Sequence, residues 1–91
     1  MKPDNACGIF IETNGSVTQI KATGRTFKLD EMQRYVGGYI ERIQVDWMGG
    51  KADLICNEEG KLHGLALNRA ASEIAHQPIV GNCLLLRKGA W

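Results

Sequence analysis

The fold is decided by residues 36–60, which read VGGYIERIQVDWMGGKADLICNEEG. Gly37 follows a segment with helical spacing, and glycine suits the left-handed position that ends a helix. Residues 39–47 alternate apolar and polar side chains, apart from Glu41 on the apolar side, which predicts a long strand with one exposed face. After a glycine-containing turn, residues 52–57 predict the returning strand. The stretch therefore predicts a helix end followed by a β-hairpin.

The sequence before this stretch predicts a first hairpin and a short helix. Residues 7–12 and 16–22 are strand-like segments separated by Asn14-Gly15. Such a pair is typical of a type I′ turn, in which both central residues have positive φ. Asp30 is predicted to cap the first helix, because a glutamine three positions later completes a capping-box pattern. The helix spans about two turns, so its apolar side must pack on the sheet.

The sequence after this stretch predicts a second helix and a last strand. Asn68 is a suitable N-cap for a helix that continues to about His76. Residues 79–87 contain a continuous apolar run, which favours a central strand. We therefore predict an α+β fold with the element order β-β-α-β-β-α-β. A mostly antiparallel sheet of about five strands is expected to carry two short helices on one side.

Length and composition favour a small globular domain without a catalytic cleft. The 91 residues, 44% of them hydrophobic, are expected to form a single domain over residues 1–91, with flexible tails at 1–6 and 88–91. A chain of this size buries only about 60–65% of its unfolded surface, which leaves little structure for a deep substrate pocket. We therefore expect a protein that is not an enzyme and that uses no cofactor.

Charge and cysteine content narrow the partners and the compartment. Eleven Lys and Arg balance ten Asp and Glu, without the clustered basic run that is typical of nucleic-acid-binding proteins. A basic patch can still form from four cations that lie close in sequence, Lys21, Arg25, Lys28 and Arg34. No apolar run approaches the roughly 18 residues needed to span a bilayer, and the first residues lack the features of a secretory signal. Three widely spaced cysteines do not suit a disulfide framework. We expect a cytoplasmic protein with buried thiols and no membrane contact.

The candidate binding residues are polar and lie in the second hairpin and at the start of the second helix. They are Glu41, Asn57, Glu58, Glu59, Lys61, Asn68 and Arg69. If the two hairpin strands pair, these residues gather at one end of the sheet. The carboxylates can bind Mg²⁺ or Ca²⁺ or act as acid and base. A solvated turn, and an ion pair of Glu41 with Arg34, Arg69 or Lys61, are the simpler explanations.

An anion site is the second interpretation of these polar residues. A helix N-terminus offers free N–H groups that can hold a phosphate, and Lys61 and Arg69 lie near the predicted start of the second helix. No glycine-rich phosphate loop accompanies them. A capped helix with a surface arginine is the simpler explanation.

The cysteines and histidines do not predict a metal site. Cys56 with His63, and His76 with Cys83, lack the short chelating pairs that are usual in zinc sites. The cysteines also lie in apolar runs, where a reactive thiolate is disfavoured.

Two tryptophans are candidates for an interface with another protein. Trp47 ends a predicted strand and Trp91 is the last residue. Tryptophan often contributes much of the binding energy at interfaces, although Trp91 can equally lie on its own domain. A homodimer can form through these tryptophans or through an edge strand.

Four motifs give the chain a family resemblance. They are YVGGYIERI at residues 35–43, ICNEEGKLHGL at 55–65, NRAA at 68–71 and IVGNCLLL at 79–86. In order and spacing, over about residues 30–86, the chain resembles a small domain-of-unknown-function family (DUF3846-like) found in phages, plasmids and their hosts. The segment at 65–67 lacks the prolines that the family has before Asn-Arg, so this loop is expected to differ.

The resemblance implies no catalytic activity, and its shared polar positions correspond to the seven candidate binding residues. It also implies a mobile-element setting, in which many small proteins act stoichiometrically against host defence. The leading hypothesis is a non-enzymatic phage or mobile-element protein that binds and inhibits a host defence complex, such as a CRISPR effector.

Two alternative functions remain open. The first is a sponge that sequesters a signalling nucleotide, with phosphates on Lys61, Asn68 and Arg69 and the base stacked on Tyr39 or Trp47. The second is a nucleic-acid-binding accessory protein, whose affinity would depend strongly on salt.

Overall fold

Five strands and two helices are present in residues 5–91, the part of the chain that this computed structural model describes. In chain order they are β1 (Cys7–Ile11), β2 (Val17–Lys21), α1 (Leu29–Val36), β3 (Ile40–Trp47), β4 (Gly50–Asn57), α2 (Arg69–Ala75) and β5 (Cys83–Arg87). The strands form one antiparallel sheet in the order β2-β1-β5-β4-β3. The predicted α+β fold and element order are confirmed, and β5 is central, as its apolar run predicts. Neither helix is long and apolar enough to cross a membrane. Residues 1–4 of the expected N-terminal tail lie outside the described residues.

The two helices cover opposite faces of the sheet. Side chains alternate between the faces along a strand, and on β4 and β5 one alternate set packs with α2 while the other packs with α1. The first set is Leu54, Cys56, Cys83 and Leu85, and the second is Ile55, Leu84 and Leu86. The prediction that both helices lie on one side is therefore wrong. Both central strands are apolar on both faces, so each face has to be covered.

The helix ends follow local sequence signals, with one exception. Gly37 ends α1 at a φ of 83°, and the side chain of Asn68 caps α2, as predicted. Asp30 does not cap α1, because the helix begins at Leu29 with Lys28 in the N-cap position and no side-chain cap. Asp30 lies in the first turn instead, where a carboxylate interacts favourably with the helix dipole.

The sequence predicts a type I′ turn for the first hairpin, but this geometry occurs in the turn between β3 and β4. Met48 and Gly49 both have positive φ, at 47° and 81°, which is the pattern of a type I′ turn. In the first hairpin only Gly15 has positive φ, so the predicted type I′ turn is wrong there. The side chain of Asn14 accepts a hydrogen bond from the N–H of Ser16 at 2.8 Å. Asn14 therefore makes an Asx-type contact with an ordinary φ.

The residues after β5 are attached to the domain. Ala90 is buried, and its carbonyl accepts a hydrogen bond from the N–H of Phe27 at 2.7 Å. The indole N–H of Trp91 donates to the carboxylate of Asp53 at 3.1 Å. Ala90 and Trp91, which the sequence assigns to a flexible tail, are therefore hydrogen-bonded to the rest of the domain.

We predict that Gly8→Ala lowers the free energy of unfolding by about 1–3 kcal/mol, because overpacking forces neighbouring side chains to shift. A Cβ atom at this position would lie 2.4 Å from Cδ2 of Leu86 and 3.2 Å from the ring of Phe27. Urea unfolding followed by circular dichroism measures the change.

Gly24→Ala is the matched control for this substitution. A Cβ atom at position 24 meets nothing within 4 Å, so its effect is expected to stay within about 0.5 kcal/mol. Equal losses in the two variants would contradict the close packing around Gly8.

Candidate functional site

Four of the predicted binding residues line one depression at the end of the β3–β4 hairpin. Pairing of the two strands places Ile40 opposite Asn57, so the start of β3 meets the loop that follows β4. The depression has a volume of about 410 Å³. Its polar lining includes Glu41, Asn57, Glu58 and Lys61, and we refer to it as the polar depression. The strand pairing therefore brings four of the seven candidate residues together in one depression.

Asn57, which lines the polar depression, connects two segments of the backbone through hydrogen bonds of its side chain. Its side chain is buried and donates to the carbonyl oxygen of Val36, the last residue of α1, at 3.2 Å. Its side-chain oxygen accepts a hydrogen bond from the N–H of Glu59 at 2.8 Å. An amide can donate and accept at once, which lets Asn57 join the end of α1 to the loop after β4. These contacts give the residue a structural role.

Asn68 is fully buried and does not line the polar depression. Its amide nitrogen donates to the carbonyl oxygens of Ile11 at 3.0 Å and Gly81 at 2.9 Å. Its side-chain oxygen accepts from the N–H of Ala71 at 3.1 Å. Arg69 is exposed and also lies outside the lining. The structure therefore does not bring Asn68 and Arg69 together with Lys61 in one cradle for a phosphate.

The charges of the polar depression are mixed. Glu41 and Glu58 contribute two carboxylates and Lys61 one ammonium group, and all three residues are exposed. Glu59 lies outside the lining, with its carboxylate 3.7 Å from Nε2 of His63. No group of three His, Cys, Asp or Glu side chains placed to hold a metal ion occurs in residues 5–91.

Glu41 is exposed on β3, at a part of the sheet face that α2 does not cover. The ion pair expected with Arg34, Arg69 or Lys61 is not among the ion pairs of the described residues. An exposed carboxylate is solvated and needs no such partner, whereas a buried one does.

A second surface feature is apolar and lies beside α2. Two adjoining depressions of about 420 and 460 Å³ share four lining residues, Ile9, Val17, Trp47 and Leu85. We refer to this surface as the Trp47 groove. The seven residues of α2 extend only about 10 Å at 1.5 Å per residue, so the helix leaves part of its sheet face open. Val17 is 60% exposed in the groove.

Charged groups lie at the two ends of the Trp47 groove. Arg87 lines the depression that includes the start of β1, and Asp46 and Glu73 line the depression that borders α2. Lys51 lowers the pKa of Asp46 by donating a hydrogen bond to its carboxylate and through its positive charge. Asp46 is therefore ionised at neutral pH, and the guanidinium group of Arg87 lies at the other end of the groove.

The two tryptophans lie on opposite faces of the sheet. Trp47 packs against the apolar cluster on the α2 face and forms a wall of the groove. Trp91 is bonded to Asp53, which alternates with Leu54 of the α2 face and so points to the α1 face. Arg42 places its Nε 3.9 Å from the other oxygen of the same carboxylate. The indole of Trp91 is thus occupied within its own domain, as one of the two interpretations of this residue expects.

Of the residues that line this groove, the sequence identified Trp47 as an interface candidate but did not identify Ile9, Val17 and Leu85. The signal that could have revealed these residues is that β1 and β5 carry apolar side chains on both faces. One short helix cannot cover that much apolar surface. Strand order was needed in addition, because Val17 and Leu85 become neighbours of Trp47 only once β1 and β5 lie between the outer strands.

We predict that Asn68→Ala lowers the free energy of unfolding by about 2–4 kcal/mol, since it removes an N-cap and leaves two buried carbonyl groups without their donor. Asn82→Ala is the control. The Asn82 side chain accepts one exposed hydrogen bond from Thr13 N–H at 3.0 Å, and its loss is expected to cost about 0.5–1 kcal/mol. Chemical denaturation compares the two, and a loss at Asn68 no larger than that at Asn82 would contradict the structural role.

A family model describes nearly the whole chain. The domain of unknown function DUF3846 matches residues 7–90. The chain therefore belongs to this family, as the resemblance predicted. Searches for a matching curated protein and for a matching solved structure found none.

Proposed function

We propose that this member of the DUF3846 family is a non-enzymatic binding protein that acts stoichiometrically by covering part of another protein. The observation that carries the proposal is the Trp47 groove, an apolar surface beside α2 with an aromatic wall. Exposed apolar patches with a polar rim are typical of protein interaction sites.

The composition of the groove supports a protein partner over a small polar ligand. Interface centres are enriched in aromatic residues and depleted of charges, and their rims are polar. Ile9 and Leu85 form an aliphatic floor, Trp47 forms a wall, and the charged residues lie at the ends. A partner segment with an apolar centre, an acidic group near Arg87 and a basic group near Glu73 would complement these features.

The target that we propose is a component of a host defence system, such as a CRISPR effector, inside the host cell. Support for this step comes from the phage and plasmid setting that the family resemblance implies, together with the small size of the domain. A stoichiometric inhibitor needs only a stable contact surface, and a sheet covered by two short helices supplies one.

The polar depression favours this proposal over a nucleotide sponge. Lys61 shares the depression with the carboxylates of Glu41 and Glu58, which repel a phosphate. Asn68, the expected phosphate ligand, is fully buried and bonded to backbone carbonyls. Contact between Asn68 and a phosphate would require the buried chain around Asn68 to rearrange.

We predict that Val17→Glu weakens binding to the partner at least about tenfold, which corresponds to about 1.4 kcal/mol, because it places a charge in the apolar centre of the groove. The wild-type protein would be titrated against purified CRISPR effector complexes, with binding measured by interferometry and inhibition by target-DNA cleavage. Thermal unfolding checks that the variant is folded, which is expected because Val17 lies on the edge strand β2.

Leu29→Glu is the matched control for the binding experiment. Leu29 is 56% exposed, close to the 60% of Val17, but it begins α1 on the opposite face of the sheet. This variant is expected to bind and inhibit as the wild type does. Equal weakening by both substitutions would contradict the groove as the contact surface. Failure of the wild type to bind any defence complex, with turnover of a small substrate, would contradict the proposed function as a whole.

A further inference from the structure

Two buried thiols face each other across the central strands of the sheet. The β4–β5 ladder pairs Leu54 with Leu85 and Ile55 with Leu84, and the next step of the same ladder sets Cys56 opposite Cys83. Their sulfur atoms are 3.7 Å apart. Residues directly opposite in an antiparallel sheet have Cα atoms about 4.5–5.5 Å apart. This spacing lies within the range of about 4.4–6.8 Å that disulfides span.

The two cysteines differ in their access to solvent. Cys56 lines the polar depression and is 4% exposed, whereas Cys83 is 0% exposed. The pKa of the Cys83 thiol is raised, first by its hydrogen bond with Cys56 and then by burial. A small oxidant that enters the polar depression therefore reaches Cys56 first. Cys83 lies behind Cys56 as a protonated thiol.

We propose that Cys56 and Cys83 form a reversible cross-strand disulfide, with a low-molecular-weight peroxide as the oxidant. The geometry assigns Cys56 as the thiol that attacks the peroxide and Cys83 as the thiol that resolves the product. Cys7, which is exposed on β1, is not part of the pair.

The chemistry balances with hydrogen peroxide as the electron acceptor. The sulfur of Cys56 attacks one peroxide oxygen, the O–O bond breaks, and Cys56 becomes a sulfenic acid with release of one water. The sulfur of Cys83 then attacks the sulfur of Cys56 and displaces the hydroxyl group, which leaves as a second water with the proton of Cys83. Overall, two S–H bonds and one O–O bond are broken, and one S–S bond and two O–H bonds are formed. A small dithiol returns both residues to thiols by exchange.

The disulfide would fix the floor of the polar depression. It closes the chain between residues 56 and 83, which includes the loop after β4 and all of α2. Cys56 immediately precedes Asn57 and Glu58, so the link also ties this loop to β5 at the centre of the sheet. Oxidation is therefore expected to raise the thermal unfolding midpoint, since the link restricts the unfolded chain.

The test uses the full chain with Cys7→Ser, which removes intermolecular disulfides through the exposed thiol. The folded protein is treated with hydrogen peroxide and analysed by intact-mass spectrometry and by peptide mapping without reduction. We expect the loss of two hydrogen atoms, a peptide that joins Cys56 to Cys83, a higher thermal unfolding midpoint and full reversal by a dithiol.

Two further variants on this background separate the roles of the thiols. With Cys83→Ser, Cys56 is expected to gain one oxygen atom as a sulfenic acid that dimedone traps. With Cys56→Ser, Cys83 is expected to stay a thiol at the same peroxide dose. The proposal is overturned if the folded protein keeps both thiols at a dose that links them after unfolding in urea. It is also overturned if Cys83 is oxidised as readily as Cys56 in the single variants.

Discussion

The constraint on which the rest of the structure depends is the burial of β4 and β5 on both faces. Ile55, Leu84 and Leu86 need a cover on one face, and Leu54 and Leu85 need one on the other. Apolar burial is the main driving force of folding, so a chain with two short helices has to use one for each face. This explains why the helices lie apart in space, although each follows a hairpin in a similar way along the sequence.

The second constraint is that backbone N–H and C=O groups need hydrogen-bond partners where chain connections are buried. Two asparagine side chains provide these partners. Asn57 joins the end of α1 to the loop after β4, and Asn68 joins the start of α2 to the carbonyl groups of Ile11 and Gly81. Unpaired backbone groups away from water are costly, and an amide side chain offers both donors and an acceptor. Two of the seven polar residues proposed for binding are therefore architectural, and the exposed ones remain candidates for binding.

Local signals in the sequence predicted the helices and strands well. The errors occur where contacts between residues that are distant in sequence determine the structure. Gly37 and Asn68 act within their own helices, so their roles could be read from the chain. Asp30 matched a capping pattern, but Glu31 beside it is buried and accepts hydrogen bonds from Thr23. This contact from outside the helix accompanies a helix start two residues earlier than the pattern predicts. The attachment of Trp91 depends in the same way on Asp53, which is distant in sequence.

The candidate sites follow from an imbalance between the two sheet faces. On the α1 face, Phe27 and Ala90 add to the helix, and their backbone hydrogen bond closes the cover. On the α2 face, the shorter helix leaves an open surface on either side, since Glu41 and Trp47 belong to the same alternate set of β3. The sequence could predict that Glu41 meets the loop after β4, because strand pairing follows from the hairpin. It could not predict the Trp47 groove, because the groove is the part of a face that a helix fails to cover. Such a surface is determined only by the length and placement of α2 over the assembled sheet.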